Sequence, residues 1–177
     1  MKRSHLILAL SAVFIVAASF TFVYGPKPKP KKGKAKKETK TTEPVKAAGI
    51  TWYDFNAGLT KAKEEKKILV VDTYTDWCGW CKKMDHDTYE NADIISKMNQ
   101  YCVAVKFNPE KNATYNVNGQ SMSSQQLLQW LSKGPNYGYP TTFFWVNPHK
   151  DEKVYLQVGY QNASDFSNTL NSYIQMQ

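Results

Sequence analysis

From Ile68 the chain runs Ile-Leu-Val-Val-Asp-Thr-Tyr, apolar and β-branched, with no polar residue until Asp72. A strand with one wet face alternates polar and apolar residues. A strand without alternation has no face to give to water and predicts cover on both sides. Tyr101 to Phe107 and Thr141 to Val146 carry the same signal. Helical patterns lie around them. Trp52, Phe55, Leu59 and Ala62 fall at helical spacing, a helical stretch starts near Cys78, and a second covers Ala92 to Asn99. Ser123 or Ser124 caps a helix whose apolar face is Leu127, Leu128 and Leu131. Asn147 to Asp151 is turn chemistry, and Val154 to Val158 makes the return strand of a hairpin. Ser164 or Asp165 opens a last helix with Phe166, Leu170, Tyr173 and Ile174 on one side. Strands alternating with helices and ending in a hairpin predict an α/β fold, a central mixed β-sheet flanked by helices. No internal repeat is visible.

Charge divides the chain. Of its formal +8, residues 1–49 hold eleven Lys/Arg against Glu38 and Glu43, or +9, and residues 50–177 hold twelve against thirteen acids, or −1. The basic balance therefore belongs to a tail, which argues against a basic globular nucleic-acid binder. Three cysteines in 177 residues also exclude a disulfide-dense scaffold. Lys2 and Arg3 precede an uncharged run from Leu6 to Tyr24, the layout of a signal peptide and also long enough for an N-terminal membrane anchor, so 1–25 is expected to be one or the other. Residues 26–49, rich in Lys and Pro, predict a disordered linker that can touch an anionic membrane surface. The remaining residues, 50–177, predict one domain. An extracytoplasmic place is expected, periplasmic in a Gram-negative cell, with the chain secreted or anchored to the inner membrane by residues 6–24. One feature opposes export: seven lysines between positions 27 and 37 follow the apolar run, which the positive-inside rule keeps cytoplasmic.

The chemistry is carried by Trp77-Cys78-Gly79-Trp80-Cys81-Lys82, which follows directly on the first buried strand and opens a helix. A helix N-terminus offers about half a positive charge and free N–H groups, which stabilise a thiolate. Cys78 is expected there with its sulfur exposed, as a nucleophile needs. Cys81, one turn on and more buried, can resolve the mixed disulfide that Cys78 forms. A zinc or copper site would need two more ligands, and among Cys102, His86 and His149 none repeats the paired spacing. A purely structural Cys78–Cys81 bond would close too short a loop to stabilise much. Cys102 reads as an inert buried thiol and His86, between Asp85 and Asp87, as a solvated side chain. Lys82 and Lys83 either favour the Cys78 thiolate or solvate the helix.

With these residues in view the chain resembles the thioredoxin fold family over residues 50–177. Besides the Cys-Gly-Trp-Cys motif, Asp72 stands six residues before Cys78, Lys106 lies in the next strand, and Gly138-Tyr139-Pro140-Thr141 precedes the third. The stretch from Lys67 to Asp87 looks most like the C-terminal domain of the thiol-disulfide interchange protein DsbD and small exported relatives. The resemblance implies a thioredoxin fold and a thiol-disulfide oxidoreductase with catalytic Cys78, Cys81, Asp72 and Lys106. Asp72 would be the buried acid that takes the proton of Cys81, with Lys106 as its partner. Trp77, Gly79, Trp80, Tyr139 and a cis Pro140 would meet substrate. It further implies no metal and no dissociable cofactor beyond the Cys78–Cys81 pair, with protein thiols or disulfides and a redox partner protein as the partners. Trp80 departs from the Pro of thioredoxins and the His of strong oxidants, which favours a reductase or mild exchanger. Thiol oxidation or isomerisation, and a redox-silent binding module of the same fold, are the alternatives. Residues 108–137, longer and more polar than the family core, read as an insertion that shapes substrate choice or is a loop only.

Overall fold

The computed structural model describes residues 49–177. The expectations for a signal or anchor in 1–25 and for a linker in 26–49 fall outside the described residues, apart from Gly49. The described chain runs β1 (Trp52–Tyr53), α1 (Phe55–Glu65), β2 (Ile68–Thr73), α2 (Gly79–Asp87), α3 (Ala92–Tyr101), β3 (Cys102–Phe107), β4 (Thr114–Val117), β5 (Gln120–Ser123), α4 (Ser124–Ser132), β6 (Thr141–Trp145), β7 (Val154–Val158) and α5 (Ala163–Ile174). Five strands form one sheet in the order β1-β3-β2-β6-β7. β1, β3 and β2 run parallel, while β6 and β7 are antiparallel to their neighbours, so the sheet is mixed as the sequence implies.

The unbroken apolar runs follow from cover on both faces. Leu69 and Val71 of β2, Val103, Val105 and Phe107 of β3, and Phe143 and Trp145 of β6 join Phe55, Leu59 and Ala62 of α1 and Leu127, Leu128 and Leu131 of α4 in one core. The alternate residues, Ile68, Val70, Cys102, Ala104, Phe144 and Val146, face Met84 of α2, Ile94 and Met98 of α3, and Phe166 and Leu170 of α5. Successive side chains of a strand point to opposite faces, so both sets are apolar and no alternation remains to be seen.

Asp72 and Lys106 sit directly opposite one another where β2 pairs with β3. By the same alternation they continue the second face, on which α2 lies. β2 therefore delivers a carboxylate to the end of the sheet, and the chain turns from there into the cysteine loop.

Three local expectations are corrected. Trp52 is not the first residue of a helix: Asp54 caps α1, and Trp52 belongs to β1, pairing with Ala104. Its ring packs edge-on against Tyr89 at 5.0 Å. The last helix is opened by Asn162, whose side chain accepts from the Asp165 N–H. Within residues 108–137 lies a second, two-stranded sheet of β4 and β5, joined at Asn118-Gly119 with both residues at positive φ (51° and 84°). That dipeptide is the preferred pair for a tight hairpin turn.

α1 approaches β3 closely at Gly58, where an added Cβ would stand 2.3 Å from the Cγ2 of Val105. Alanine is the better helix former by ~1 kcal/mol, whereas overpacking a core costs ~1–3 kcal/mol. The clash is with a buried branched side chain, so the second effect wins. Gly58→Ala is expected to lower stability by ~1 kcal/mol or more in denaturant titration, despite its helix propensity.

Candidate functional site

Cys78 is the N-cap of α2, with extended backbone, and its Sγ accepts a hydrogen bond from the Cys81 N–H at 3.1 Å. The Cys78 and Cys81 sulfurs are joined in a disulfide, with Cα atoms 5.3 Å apart. The helix thus aims an amide at the sulfur that would carry negative charge on reduction, and the N-terminal end of the helix dipole favours that charge. The expectation that the Cys78 sulfur is exposed while Cys81 is more buried is corrected, because the two residues are 4 % and 3 % exposed. Cys78 turns its sulfur inward to the bond and to the helix amide, and its neighbours take the surface instead: Trp77 is 67 % exposed and Trp80 is 59 % exposed.

Behind the loop lies a charge cluster built around the buried Asp72. Lys106 Nζ donates to Asp72 Oδ2 at 2.6 Å and also pairs with Asp85. The Tyr89 hydroxyl donates to Asp72 Oδ1 at 3.1 Å. The Lys106 ammonium lies 4.7 Å from the ring centre of Trp52, 5.1 Å from that of Tyr89 and 5.5 Å from that of Tyr74. Burial pushes the Asp72 carboxyl above the ordinary carboxylate range, with the attraction of Lys106 opposing it in part. Burial works against the charge of Lys106, but Asp72 and Asp85 outweigh it and hold the ammonium above its usual range. Tyr89, buried, is pushed well above the usual phenol range by burial and by Asp72. An open cavity of about 670 Å³ lined by Trp52, Asp85, Tyr89, Glu90, Ile95 and Lys106 brings solvent to this cluster.

On the outer side, the Trp77 Nε1–H donates to both carboxylate oxygens of Glu110, at 3.1 and 3.2 Å. Its ring meets Tyr139 edge-on at 5.9 Å. The Tyr139–Pro140 peptide bond is cis, and the Pro140 carbonyl accepts from the Gly159 N–H at 2.9 Å. Gly79 is the first residue of α2 and faces open space. Trp80 packs on Tyr160 with ring centres 5.5 Å apart. The fold thus gathers Cys78, Cys81, Trp77, Gly79 and Trp80 at the start of α2. Tyr139 joins them through its contact with Trp77, and Asp72 and Lys106 lie at the strand end that leads into the loop.

The other singled-out residues lie elsewhere. Cys102 is free and buried at the start of β3, its thiol pushed up to about 12 by burial. His86 is exposed but not alone, since its Nδ1 lies 2.9 Å from Asp87, whose carboxyl raises the imidazole above its usual range. Lys83 pairs with Asp87, so its charge is matched on α2 itself. Among the described residues, no three His, Cys, Asp or Glu side chains are grouped so as to hold a metal ion. No helix among the described residues is long and apolar enough to cross a membrane.

Sequence reasoning missed Asp85, Tyr89, Glu110, Tyr160 and the placement of Trp52 over Lys106. Asp85 had a usable signal, because it stands four residues after Cys81 on the inner face of α2. Tyr89 stands just past the end of α2 with no mark of its own, and the others come from distant segments.

The family model Thioredox_DsbH, described as a protein of unknown function, DUF255, matches residues 38–175. The thiol:disulfide interchange protein DsbD of Tatumella citrea is 31% identical over 108 residues, which is 59% of this chain and 16% of that protein. The disulfide bond reductase DsbH of Chlamydia pneumoniae is 29% identical over 89 residues, 49% of this chain and 52% of that protein. The matches thus span a small part of DsbD and about half of DsbH. A solved structure described as DsbH Oxidoreductase superposes with a TM-score of 0.55 at 21% identity, covering 78% of this chain and 94% of that one. That likeness shows the fold, which is the thioredoxin fold. Because the family model takes in well over half of the sequence, the chain belongs to the Thioredox_DsbH family.

Proposed function

We propose that the chain is a thiol-disulfide oxidoreductase that reduces or exchanges protein disulfides at Cys78 and Cys81. The observation that carries this reading is the cysteine pair at the N-terminus of α2, with the Cys81 N–H donated to the Cys78 sulfur. The relatives named for disulfide interchange and disulfide reduction support it.

In the reduced form the Cys78 thiolate attacks one sulfur of a substrate disulfide. An S–S bond forms between them as the substrate bond breaks, and one substrate thiolate leaves. Cys81 then gives up its thiol proton and attacks the Cys78 sulfur, releasing the second substrate thiolate and closing the Cys78–Cys81 disulfide. Two electrons pass from the pair to the substrate, so the cysteines are themselves the carrier and no dissociable cofactor is required. A thiol-bearing redox partner protein restores the dithiol by the same exchange in reverse.

Asp72 is the proton acceptor for Cys81. Its raised pKa brings it closer to the thiol it serves, and a general base works best when its pKa lies near the working pH. Lys106 keeps the carboxylate accessible, because its attraction opposes the upward push of burial on the Asp72 carboxyl. The cavity beside Lys106 and Asp85 provides the route by which that proton exchanges with solvent. Trp77, Gly79, Trp80, Tyr139 and Pro140 make the substrate surface around the sulfurs. The charged start and uncharged run at Leu6 to Tyr24 support action outside the cytoplasm, secreted or held at a membrane. The lysine-rich segment behind that run can rest on an anionic lipid surface.

Cys78→Ser is expected to abolish dithiothreitol-driven reduction of insulin by the full chain, while Cys102→Ser leaves it intact. An unchanged rate in Cys78→Ser would contradict the mechanism.

Asp72→Asn is expected to slow turnover by about tenfold or more, because general-base help is typically worth 10²–10⁴. The parent rate rises with pH as the Asp72 proton is lost, and the variant lacks that limb. The stability sign is fixed by the same shift. The folded-state pKa lies above the unfolded value of ~4, so the contribution of Asp72 is present below pH ~4 and is lost as pH rises through the folded pKa. The melting temperature of the parent relative to Asp72→Asn therefore falls as pH rises. A constant difference from pH 4 to 8 would show that burial does not raise this carboxyl.

A further inference from the structure

Trp80 is the residue before Cys81, and it is 59 % exposed. An exposed indole normally samples several rotamers, yet this one is held from outside its own helix. Its ring packs on Tyr160 at 5.5 Å with an interplanar angle of 46°. Tyr160 follows β7 and comes 80 positions after Trp80 in sequence. Two contacts fix its side chain, and a third ties down the residue beside it. Its hydroxyl donates to Asp87 Oδ2 at 3.1 Å, and the Lys83 ammonium lies 5.4 Å from its ring centre. The hydroxyl of Thr88, which caps the end of α2, donates to the Gln161 carbonyl at 2.6 Å. Asp87 is itself paired with Lys83 and with His86. Those partners hold its carboxyl down to about 2, so it remains an acceptor through the neutral range. None of these contacts involves Asp72, Lys106 or the sulfurs.

The other indole, Trp77, is held by Glu110 and Tyr139. A nearly covered disulfide therefore lies between two exposed aromatic residues, each fixed by partners from different elements. A side chain already held in its binding rotamer gives up less conformational entropy when a partner docks on it. Such a device serves a polypeptide that must lay its flanking residues against the site. It is of little use to a disulfide too small to reach beyond the sulfurs.

We propose that Tyr160 is a positioning residue for Trp80, and that the held indole is the specificity-determining contact by which the site selects apolar polypeptide segments over small disulfides. This rests on the redox reading of Cys78 and Cys81 given above.

The test uses the full chain and compares insulin with hydroxyethyl disulfide. Tyr160→Leu is expected to raise KM for insulin about threefold or more, as loss of an aromatic pair would. Its kcat on insulin, and its kcat/KM on hydroxyethyl disulfide, stay within about twofold. Tyr160→Phe, which keeps the ring and loses only the bond to Asp87, gives an intermediate KM. Trp80→Ala raises KM for insulin at least as far as Tyr160→Leu, and adding Tyr160→Leu to it raises KM no further, because the two residues act as one unit. An unchanged insulin KM in Tyr160→Leu, additive effects in the double variant, or equal losses on both disulfides would overturn the proposal. If the parent reduces neither disulfide, the redox reading fails and the substrate-selection claim fails with it. The positioning claim is then decided by ¹⁹F NMR of the chain labelled with 5-fluorotryptophan. The Trp80 resonance, assigned with Trp80→Phe, shifts in Tyr160→Leu if the indole is held and stays in place if it is not.

Discussion

Taking a carboxylate out of water costs several kcal/mol unless a cation and hydrogen bonds go with it, and in this chain the register of β2 against β3 supplies the cation. Asp72 and Lys106 are direct partners across two parallel strands, so one salt bridge marks the end of the sheet where the buried run stops. The rest is arranged around that pair. Trp52 reaches it from β1, Tyr89 from the segment after α2, and Asp85 from α2 itself. A cluster that binds four elements together cannot shift without dragging the start of α2, and the start of α2 is where the cysteines are.

The layers of the site answer different chemical needs. Proton transfer needs a titratable group away from bulk water, and in the proposed function the inner cluster supplies one, with the cavity at Lys106 beside it. Thiolate stabilisation needs an unsatisfied N–H at a helix start, and Cys78 receives it. Recognition of a polypeptide needs exposed, rigid, apolar area, and in the proposed function Trp77 and Trp80 supply it, each secured by residues from other parts of the chain. The insertion takes part in the outer layer, because Glu110, which receives the Trp77 N–H, opens it.

Much of this was legible in the sequence because its signals are local. The three buried strands announce themselves through missing alternation. The cysteine motif announces itself through its position between a strand and a helix, and the Asp72 and Lys106 spacing through family resemblance. What was not legible depended on distance or on competition between patterns. Trp52 fits a helical spacing with Phe55 and Leu59, yet Asp54 is the better cap, and the tryptophan goes to a strand. The Asn118-Gly119 turn was present, but the strands beside it, Thr114–Val117 and Gln120–Ser123, are mostly polar and exposed and so lack the apolar stripe that marks a strand. The exposure of Cys78 was misread because a catalytic thiol was expected to face water, whereas the oxidised sulfur turns toward Cys81 and the helix amide. Tyr160 and Glu110 touch the motif only after folding, and no reading of neighbours along the chain reveals them.

The central claim is that Cys78 is the attacking sulfur and Cys81 the resolving one. The most direct measurement is covalent trapping with Cys81→Ser, in which the mixed disulfide has no second thiol to release it. Incubating the reduced variant with a disulfide-bonded peptide and identifying the adduct by mass spectrometry should give one peptide joined to Cys78, released by dithiothreitol. Absence of any adduct, or an adduct on Cys102, would contradict the account.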